Sequence, residues 1–159
     1  MQMLGKPWRP VILIGLVLLA YGNSVSGSFH YDDEHSIVRN ASIQKLSEIP
    51  NFFVDISAFS GDEGKGMYRP LLLVTYALNY TIHELNSTGF HVVNVLLHAL
   101  CSLLVWCLAS SGLAPMYDRE GCPQAQGHPQ AAWIAAALFA LHPALTEPVN
   151  YVSSRSETL

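Results

Sequence analysis

The sequence predicts an all-α membrane protein, and three observations lead to that fold class. The chain of 159 residues is 50% hydrophobic and only 13% charged, whereas soluble domains carry about 25% charged residues. Its mean hydropathy is +0.27. Its apolar residues also fall in long stretches rather than in the spaced pattern of amphipathic elements. We therefore expect about three transmembrane helices, each needing roughly 20 apolar residues, with interfacial helices in an outer loop.

The order of apolar and polar stretches divides the chain into six segments. They are a first transmembrane helix or signal anchor at 1–27, an outer loop at 28–89, a second transmembrane helix at 90–110, a cytoplasmic loop at 111–130, a third transmembrane helix at 131–145 and the start of a second outer loop at 146–159. The basic residues Lys6 and Arg9 precede the first apolar run, which indicates a cytoplasmic N-terminus. A cleavable signal peptide is the alternative, and both interpretations export the segment that follows.

Charge and cysteine content restrict the function classes. Eight Lys and Arg against twelve Asp and Glu give a formal net charge of −4, so we expect no nucleic-acid partner. Cys101 and Cys107 lie within an apolar run and favour packing over a disulfide framework.

The second and third apolar runs carry distinct patterns. About 17 uncharged residues from Val92 to Leu108 predict a span. Four polar residues fall on one face of that helix and should turn toward a bundle, where they line a functional cavity or form interhelical hydrogen bonds. They are His91, Asn94, His98 and Ser102. In the third run, alanines at every fourth position predict close helix contact. They are Ala132, Ala136 and Ala140, and Pro143 should bend or end the helix.

The outer loop contains two stretches that we expect near the membrane surface. Phe52, Phe53 and Phe59 cluster beside few charges, as is typical of a segment at headgroup level. Residues 71–82 are uncharged but too short to cross, which favours an interfacial or re-entrant helix, with Pro70 at its first position.

The strongest candidate for chemistry is the acidic run His30-Tyr31-Asp32-Asp33-Glu34-His35. Adjacent carboxylates repel, so one is expected to be neutralised by a cation, by an arginine or by a proton that it takes as a general base. A solvated turn or helix cap is the alternative without chemistry. A divalent metal held by His and Asp side chains is a further alternative that the residues alone do not support.

Other polar residues predicted on the outer side are candidates for substrate binding. Tyr68 and Arg69 stand at the entrance of the 71–82 stretch, and a guanidinium can bind a carboxylate or phosphate through two hydrogen bonds. A second outer polar group comprises His142, Glu147, Arg155 and Glu157. Three sequons for N-glycosylation also lie on the outer side, at Asn40, Asn79 and Asn86.

Five blocks in this order resemble the N-terminal region of a known family. They are Phe29-His30-Tyr31-Asp32-Asp33; Tyr68-Arg69-Pro70-Leu71 with Asn79-Tyr80; Gly89-Phe90-His91 with Asn94, Leu97 and His98; Phe139-Ala140-Leu141-His142-Pro143 with Thr146-Glu147; and Ser154-Arg155-Ser156-Glu157. As an ordered set they resemble the transmembrane and tetratricopeptide-repeat proteins, which are multi-pass O-mannosyltransferase-like enzymes of the GT-C glycosyltransferase type.

The resemblance implies a partial GT-C fold in a multi-pass protein of the bacterial inner membrane or the endoplasmic reticulum membrane. It implies transfer of a sugar, expected to be mannose, from a polyprenyl- or dolichyl-phosphate donor to Ser or Thr of exported proteins. The partners would then be membrane lipid, the lipid-linked donor and the protein acceptors, with the lipid-linked sugar in place of any tightly bound cofactor. Carried onto this chain, Asp32 or Asp33 would take the acceptor proton, while Arg69 or Arg155 would stabilise the departing phosphate. His91 falls within the matching blocks and is included among the substrate-binding candidates.

The tetratricopeptide repeats of that family are absent from these residues, so we expect the chain to be an N-terminal fragment that is inactive alone. A transporter that uses the polar residues at membrane depth is an alternative function. A non-catalytic scaffold that binds partners through the outer loop is another.

Overall fold

The computed structural model describes residues 7–111 and 129–159, and between them only the backbone of two short strands. The α-helices are α1 (Trp8–Tyr21), α2 (Pro70–His83), α3 (Ser87–Ser110), α4 (Pro129–Ala140) and α5 (Thr146–Asn150). The 3-10 helices are Gly22–Ser26, Ala41–Gln44, Leu46–Phe53, Ile56–Phe59, Pro143–Leu145 and Val152–Glu157, and Glu34–Val38 is a π-helix. Strands β1 (Met116–Tyr117) and β2 (Pro123–Gln124) pair antiparallel. The described part of the chain is therefore all-α apart from one two-residue ladder, as predicted.

Helices α1, α3 and α4 form a bundle with alternating directions. The starts of α1 and α4 meet where Arg9 Nη1 donates to the carbonyl of Pro129 at 3.0 Å. The start of α3 lies at the other end, where Ser87 Oγ donates to the carbonyl of Gly27 at 2.8 Å. The segments that follow α1 and α4 therefore leave the bundle at the same end.

Within residues 7–111 and 129–159, two helical stretches are long and apolar enough to cross a membrane. They are Trp8–Ser26 and Ser87–Ser110. Pro129–Ala140 and Pro143–Asn150 form a pair bent by 49°, which gives a third candidate if the pair is one broken span. The bend lies at Pro143, as predicted. Together with its apolar composition, these helices make the chain a membrane protein.

Lipid-compatible side chains follow one face of α3, at a spacing of four residues that keeps them on a single side of the helix. These exposed residues are Val92, Leu96, Leu100, Leu104 and Leu108. The opposite face is buried and contains the four polar residues predicted from the sequence. His98 Nε2 lies 3.0 Å from the carbonyl of Ala140, and Asn94 Nδ2 donates to the carbonyl of Val149 at 3.3 Å. Asn94 and His98 therefore form interhelical hydrogen bonds, which is one of the two roles predicted for the polar face of α3.

The contact between α3 and α4 depends on small side chains. Ala132, Ala136 and Ala140 are buried and pack in one apolar core with Val95 and Ala99 of α3. The prediction of close helix contact from the alanine spacing is confirmed.

A second apolar core forms around α2, which contributes Leu72, Leu73, Tyr76 and Ala77. Phe52 and Phe59 are also buried there, while Phe53 is 45% exposed. Phe52 and Phe59, expected in a cluster at headgroup level, are thus enclosed in this core, because the 3-10 helix Leu46–Phe53 packs on α2 and the 3-10 helix Ile56–Phe59 packs on Leu46–Phe53. Helix α2 begins at Pro70, as predicted, and is not among the candidate spans.

The predicted cytoplasmic loop at 111–130 lies largely outside the described residues. Only its ends and the backbone of the β1 and β2 pair are described there.

Candidate active site

Two segments at one end of the bundle enclose a cleft of about 500 Å³, which we call the Asp32 cleft. One wall comes from the segments that precede α2, and the other comes from α5 and the 3-10 helix after it. Its charged lining residues are Asp32, Lys65, Arg69, Glu147 and Glu157. Four of these were predicted from the sequence as catalytic or substrate-binding residues. These four residues meet in the cleft because the segments that follow α1 and α4 begin at the same end of the bundle.

The adjacent carboxylates of the acidic run have opposite environments. The Asp32 side chain is 69% exposed and lines the cleft. The Asp33 side chain is buried and accepts hydrogen bonds from the backbone amides of Ser153 at 2.7 Å and His30 at 3.1 Å. Tyr31 precedes them with a φ of 46°, which is strained for a residue with a Cβ. Only Asp32 is thus open to a molecule in the cleft.

The environment of Asp33 changes its acidity. Burial raises the pKa of its carboxyl above the ordinary value of 3.8, while the hydrogen bonds from His30 and Ser153 oppose that shift. Desolvation thus favours the protonated form of Asp33 relative to an exposed carboxyl, and the two hydrogen bonds favour the ionised form.

His35 belongs to the same cleft, although the sequence offered it only as a possible metal ligand. Its Nε2 lies 3.4 Å from Asp32 Oδ1, and its Nδ1 lies 3.1 Å from Ser60 Oγ. Ser60 Oγ accepts from the amide of Asp62 at 2.9 Å, so its own proton can point to Nδ1. Nε2 then carries the proton that faces Asp32. Asp32 and His35 are three residues apart, a spacing that brings side chains together in a helical turn and could have indicated this contact. No feature of the sequence indicates the contact with Ser60.

Arg69 marks the border between the cleft and an apolar groove. Its Nη1 donates to Ser156 Oγ at 2.7 Å, and its guanidinium lies 5.9 Å from the centre of the Phe59 ring. The groove on its other side is lined by Tyr68, Leu71 and Leu72. Tyr68 thus adjoins Arg69 but lines the groove.

Arg155, also predicted to bind substrate, is fully buried and does not line the Asp32 cleft. Its guanidinium donates to four neutral acceptors from α2 and α3: Asn94 Oδ1 at 2.6 Å, Phe90 O at 2.9 Å, Asn79 Oδ1 at 3.1 Å and Thr75 Oγ1 at 3.2 Å. The Tyr76 ring lies 5.0 Å from the guanidinium. Burial lowers the pKa of Arg155 to about 10. The hydrogen bonds of Arg155 thus connect the segment after α5 to α2 and α3.

Two histidines predicted as substrate contacts lie away from the cleft. His91 is buried near Gly27, and neither ring nitrogen has a hydrogen-bond partner among the described residues. His142 is exposed and accepts from the amide of Ala144 at 3.2 Å. It borders a separate depression with Trp133 and Leu138. In the described part of the chain, no three His, Cys, Asp or Glu side chains converge as metal ligands.

Three relatives illustrate the similarity of the chain to known proteins. It is 32% identical over 152 residues to protein O-mannosyl-transferase F38B6.6 of Caenorhabditis elegans, a match that covers 94% of this chain and 21% of that protein. It is 31% identical over 159 residues to human protein O-mannosyl-transferase TMTC4, covering 96% of this chain and 21% of that protein. It is 31% identical over 157 residues to human TMTC1, covering 93% and 16%.

The chain therefore resembles the TMTC protein O-mannosyl-transferases over nearly its whole length, in agreement with the motif order. It spans 16% to 21% of the length of these curated relatives. No protein-family model matches it, and no solved structure does.

Proposed function

We propose that this chain forms part of a multi-pass membrane glycosyltransferase that acts on a lipid-linked sugar. The donor is a polyprenyl or dolichyl phosphate carrying mannose, and the acceptor is a Ser or Thr hydroxyl of an exported protein. The similarity to proteins named O-mannosyl-transferases supports the sugar and the reaction class.

The observation that carries the proposal is the position of Arg69 between a polar cleft and an apolar groove. A lipid-linked sugar has three chemically different parts in a row: a sugar, a phosphate and an isoprenoid chain. The Asp32 cleft, the Arg69 guanidinium and the groove at Leu71 and Leu72 follow the same order. The positive N-terminal end of α2, which begins at Pro70, adds to the favourable field for a phosphate.

The reaction needs a base on the side of the sugar opposite the phosphate. As the acceptor oxygen forms a bond to the sugar C1, Asp32 takes the hydroxyl proton. The bond from C1 to the phosphate oxygen breaks, and its electron pair leaves with the lipid phosphate. Arg69 stabilises the charge that develops on that phosphate. Glu147 and Glu157, which also line the cleft, are suited to accept hydrogen bonds from sugar hydroxyls.

A transfer assay on the full-length protein tests this proposal. Membranes containing the wild type or Asp32→Asn receive dolichyl phosphate [³H]mannose and a Ser/Thr-rich acceptor, and label in the acceptor is measured. Glu34→Gln is the matched control, because Glu34 is an exposed neighbouring acid that does not line the cleft. We expect the control to transfer like the wild type and Asp32→Asn to lose transfer. Equal transfer by all three proteins would contradict the proposal.

A further inference from the structure

The three N-glycosylation sequons differ sharply in the accessibility of the atom that would be modified. That atom is the side-chain Nδ2 of asparagine, which must reach the active site of a large membrane enzyme. Asn40 is 1% exposed, and its Nδ2 donates to the carbonyls of Ser36, Ala58 and Phe59 at 3.0 to 3.2 Å. A glycan on Asn40 would leave Nδ2 with a single hydrogen for these three carbonyls, and the sugar would have to fit where the side chain is enclosed by protein.

Asn79 is equally unsuited to carry a glycan. It is 3% exposed, its Oδ1 accepts from Arg155 and its Nδ2 lies 3.2 Å from Nδ1 of His83. A group attached to Nδ2 would break the contact with His83 and would have to fit where the Asn79 side chain is enclosed by protein. The folded structure is thus incompatible with glycans at two of the three sequons.

Asn86 has the opposite environment. It is exposed in the turn between α2 and α3, where it caps the N-terminus of α3. The cap uses only Oδ1, which accepts from the amide of Thr88 at 3.1 Å. Nδ2 has no hydrogen-bond partner among the described residues, so a substituent there leaves the cap intact.

Asn86 also lies before the lipid-compatible face of α3, directly ahead of the candidate span Ser87–Ser110. The exposed apolar stripe of α3 begins at Val92, and at 1.5 Å per residue Asn86 precedes it by about 9 Å along the axis. The neighbouring Ser87 contacts Gly27 beyond the end of α1. Asn86 therefore lies at the end of the bundle from which the Asp32 cleft is built.

We propose that Asn86 is an N-glycosylation site of this protein and that the sequons at Asn40 and Asn79 stay unmodified. In the reaction, Nδ2 bonds to C1 of an oligosaccharide on a lipid diphosphate and loses one proton. The bond from C1 to the diphosphate oxygen breaks, and the lipid diphosphate leaves with the electron pair. The host oligosaccharyltransferase supplies the catalyst. The inference depends on the proposed outer location of the cleft, but not on mannosyl transfer.

Site-specific deglycosylation of the full-length protein from animal cells tests the proposal. Peptide N-glycosidase in ¹⁸O-water converts a glycosylated Asn into ¹⁸O-labelled Asp. Cleavage after aromatic residues then places Asn86 alone in peptide 81–90 and Asn79 in the peptide before it. We expect the heavy-oxygen label at Asn86 and unlabelled Asn at 40 and 79.

Two variants make the test independent of folding defects at the cap. Thr88→Ala removes the sequon while Asn86 and its cap bond remain, and it should abolish the label. Ser42→Ala removes the Asn40 sequon and should change nothing. An unlabelled Asn86 in the wild type, or a label at Asn40 or Asn79, would overturn the proposal. Neither result would alter the mannosyl-transfer assay, so the two proposals fail separately.

Discussion

The carboxylate of Asp33 accepts a hydrogen bond of 2.7 Å from the backbone amide of Ser153, which lies 120 residues further along the chain. The bond joins the segment after α1 to the segment after α5. It holds the acidic run against one wall of the cleft while the preceding residue, Asp32, remains exposed. Asp33 therefore positions the acidic run, while Asp32 faces the cleft.

Removal of the Asp33 carboxylate is expected to destabilise the fold. Asp33→Ala leaves the half-buried amides of His30 and Ser153 without their acceptor, and we expect a loss of about 1 kcal/mol, near the lower end of the cost of an unpaired polar group. Melting of the purified protein in detergent measures the loss. Glu34→Gln, an exposed change beside it, should melt like the wild type, and equal melting of Asp33→Ala would refute the positioning role.

The raised pKa of Asp33 predicts a pH dependence of stability. Burial makes the folded state hold the Asp33 proton more tightly than the unfolded chain. The contribution of this proton to the free energy of unfolding is therefore fully present below the ordinary pKa of 3.8. It declines as pH rises through the raised pKa of the folded state. Relative to the non-titrating Asp33→Asn, the wild type should lose melting temperature as pH increases above 3.8. A difference that grows in favour of the wild type over the same range would contradict this sign.

Arg155 should be more important for stability than any exposed arginine. Arg155→Ala leaves the Asn94, Asn79 and Phe90 oxygens without their donor, and we expect a loss of at least about 3 kcal/mol. Arg39→Ala is the matched control, since Arg39 forms exposed ion pairs with Glu34 and Asp62 that contribute about 1 kcal/mol or less. Protein level in membranes and melting in detergent distinguish the two. Similar behaviour of both variants would show that the Arg155 cluster does not hold the fold.

His35 is expected to act as a positioning residue for Asp32. His35→Ala removes the contact between Nε2 and Asp32 Oδ1 and should lower kcat about tenfold with little change in KM for the donor. His35→Gln reaches the same oxygen with an amide and should restore part of kcat. A purely structural role would lower the amount of folded protein instead, without rescue of kcat by Gln.

Arg69 should influence the donor rather than the acceptor. Arg69→Gln removes the charge that faces the lipid phosphate, and we expect KM for the donor to rise about tenfold or more, with a fall in kcat. Arg39→Gln changes an arginine away from the cleft and should leave both constants unaltered. An unchanged KM for the donor in Arg69→Gln would remove Arg69 from the phosphate site.

Periodic features of the helices could be predicted from the sequence. The alanine spacing of α4 and the polar face of α3 depend only on helical geometry, so Ala136 and His98 were placed correctly. The cleft residues Asp32, Arg69, Glu147 and Glu157 were also chosen from the sequence. The motif order that carried the resemblance directed attention to these positions.

Contacts between distant segments could not be predicted in the same way. Arg155 resembles a ligand-binding arginine in the sequence, but its acceptors Thr75, Asn79 and Asn94 belong to α2 and α3, and only folding brings them together. His35 acquires its second contact from Ser60, 25 residues away. The sequence likewise does not reveal that Phe52 and Phe59 are buried in the apolar core around α2.

The most direct test of the account compares mannose transfer per folded molecule in the full-length Asp32→Asn and Asp33→Asn proteins. The exposed carboxylate is the proposed base, so Asp32→Asn should lose at least about 100-fold in rate while melting like the wild type. Asp33→Asn should retain more than about a tenth of the rate, because it changes a buried group that does not touch the cleft. The opposite order, with transfer preserved in Asp32→Asn and lost in Asp33→Asn, would contradict the division of roles between the two acids.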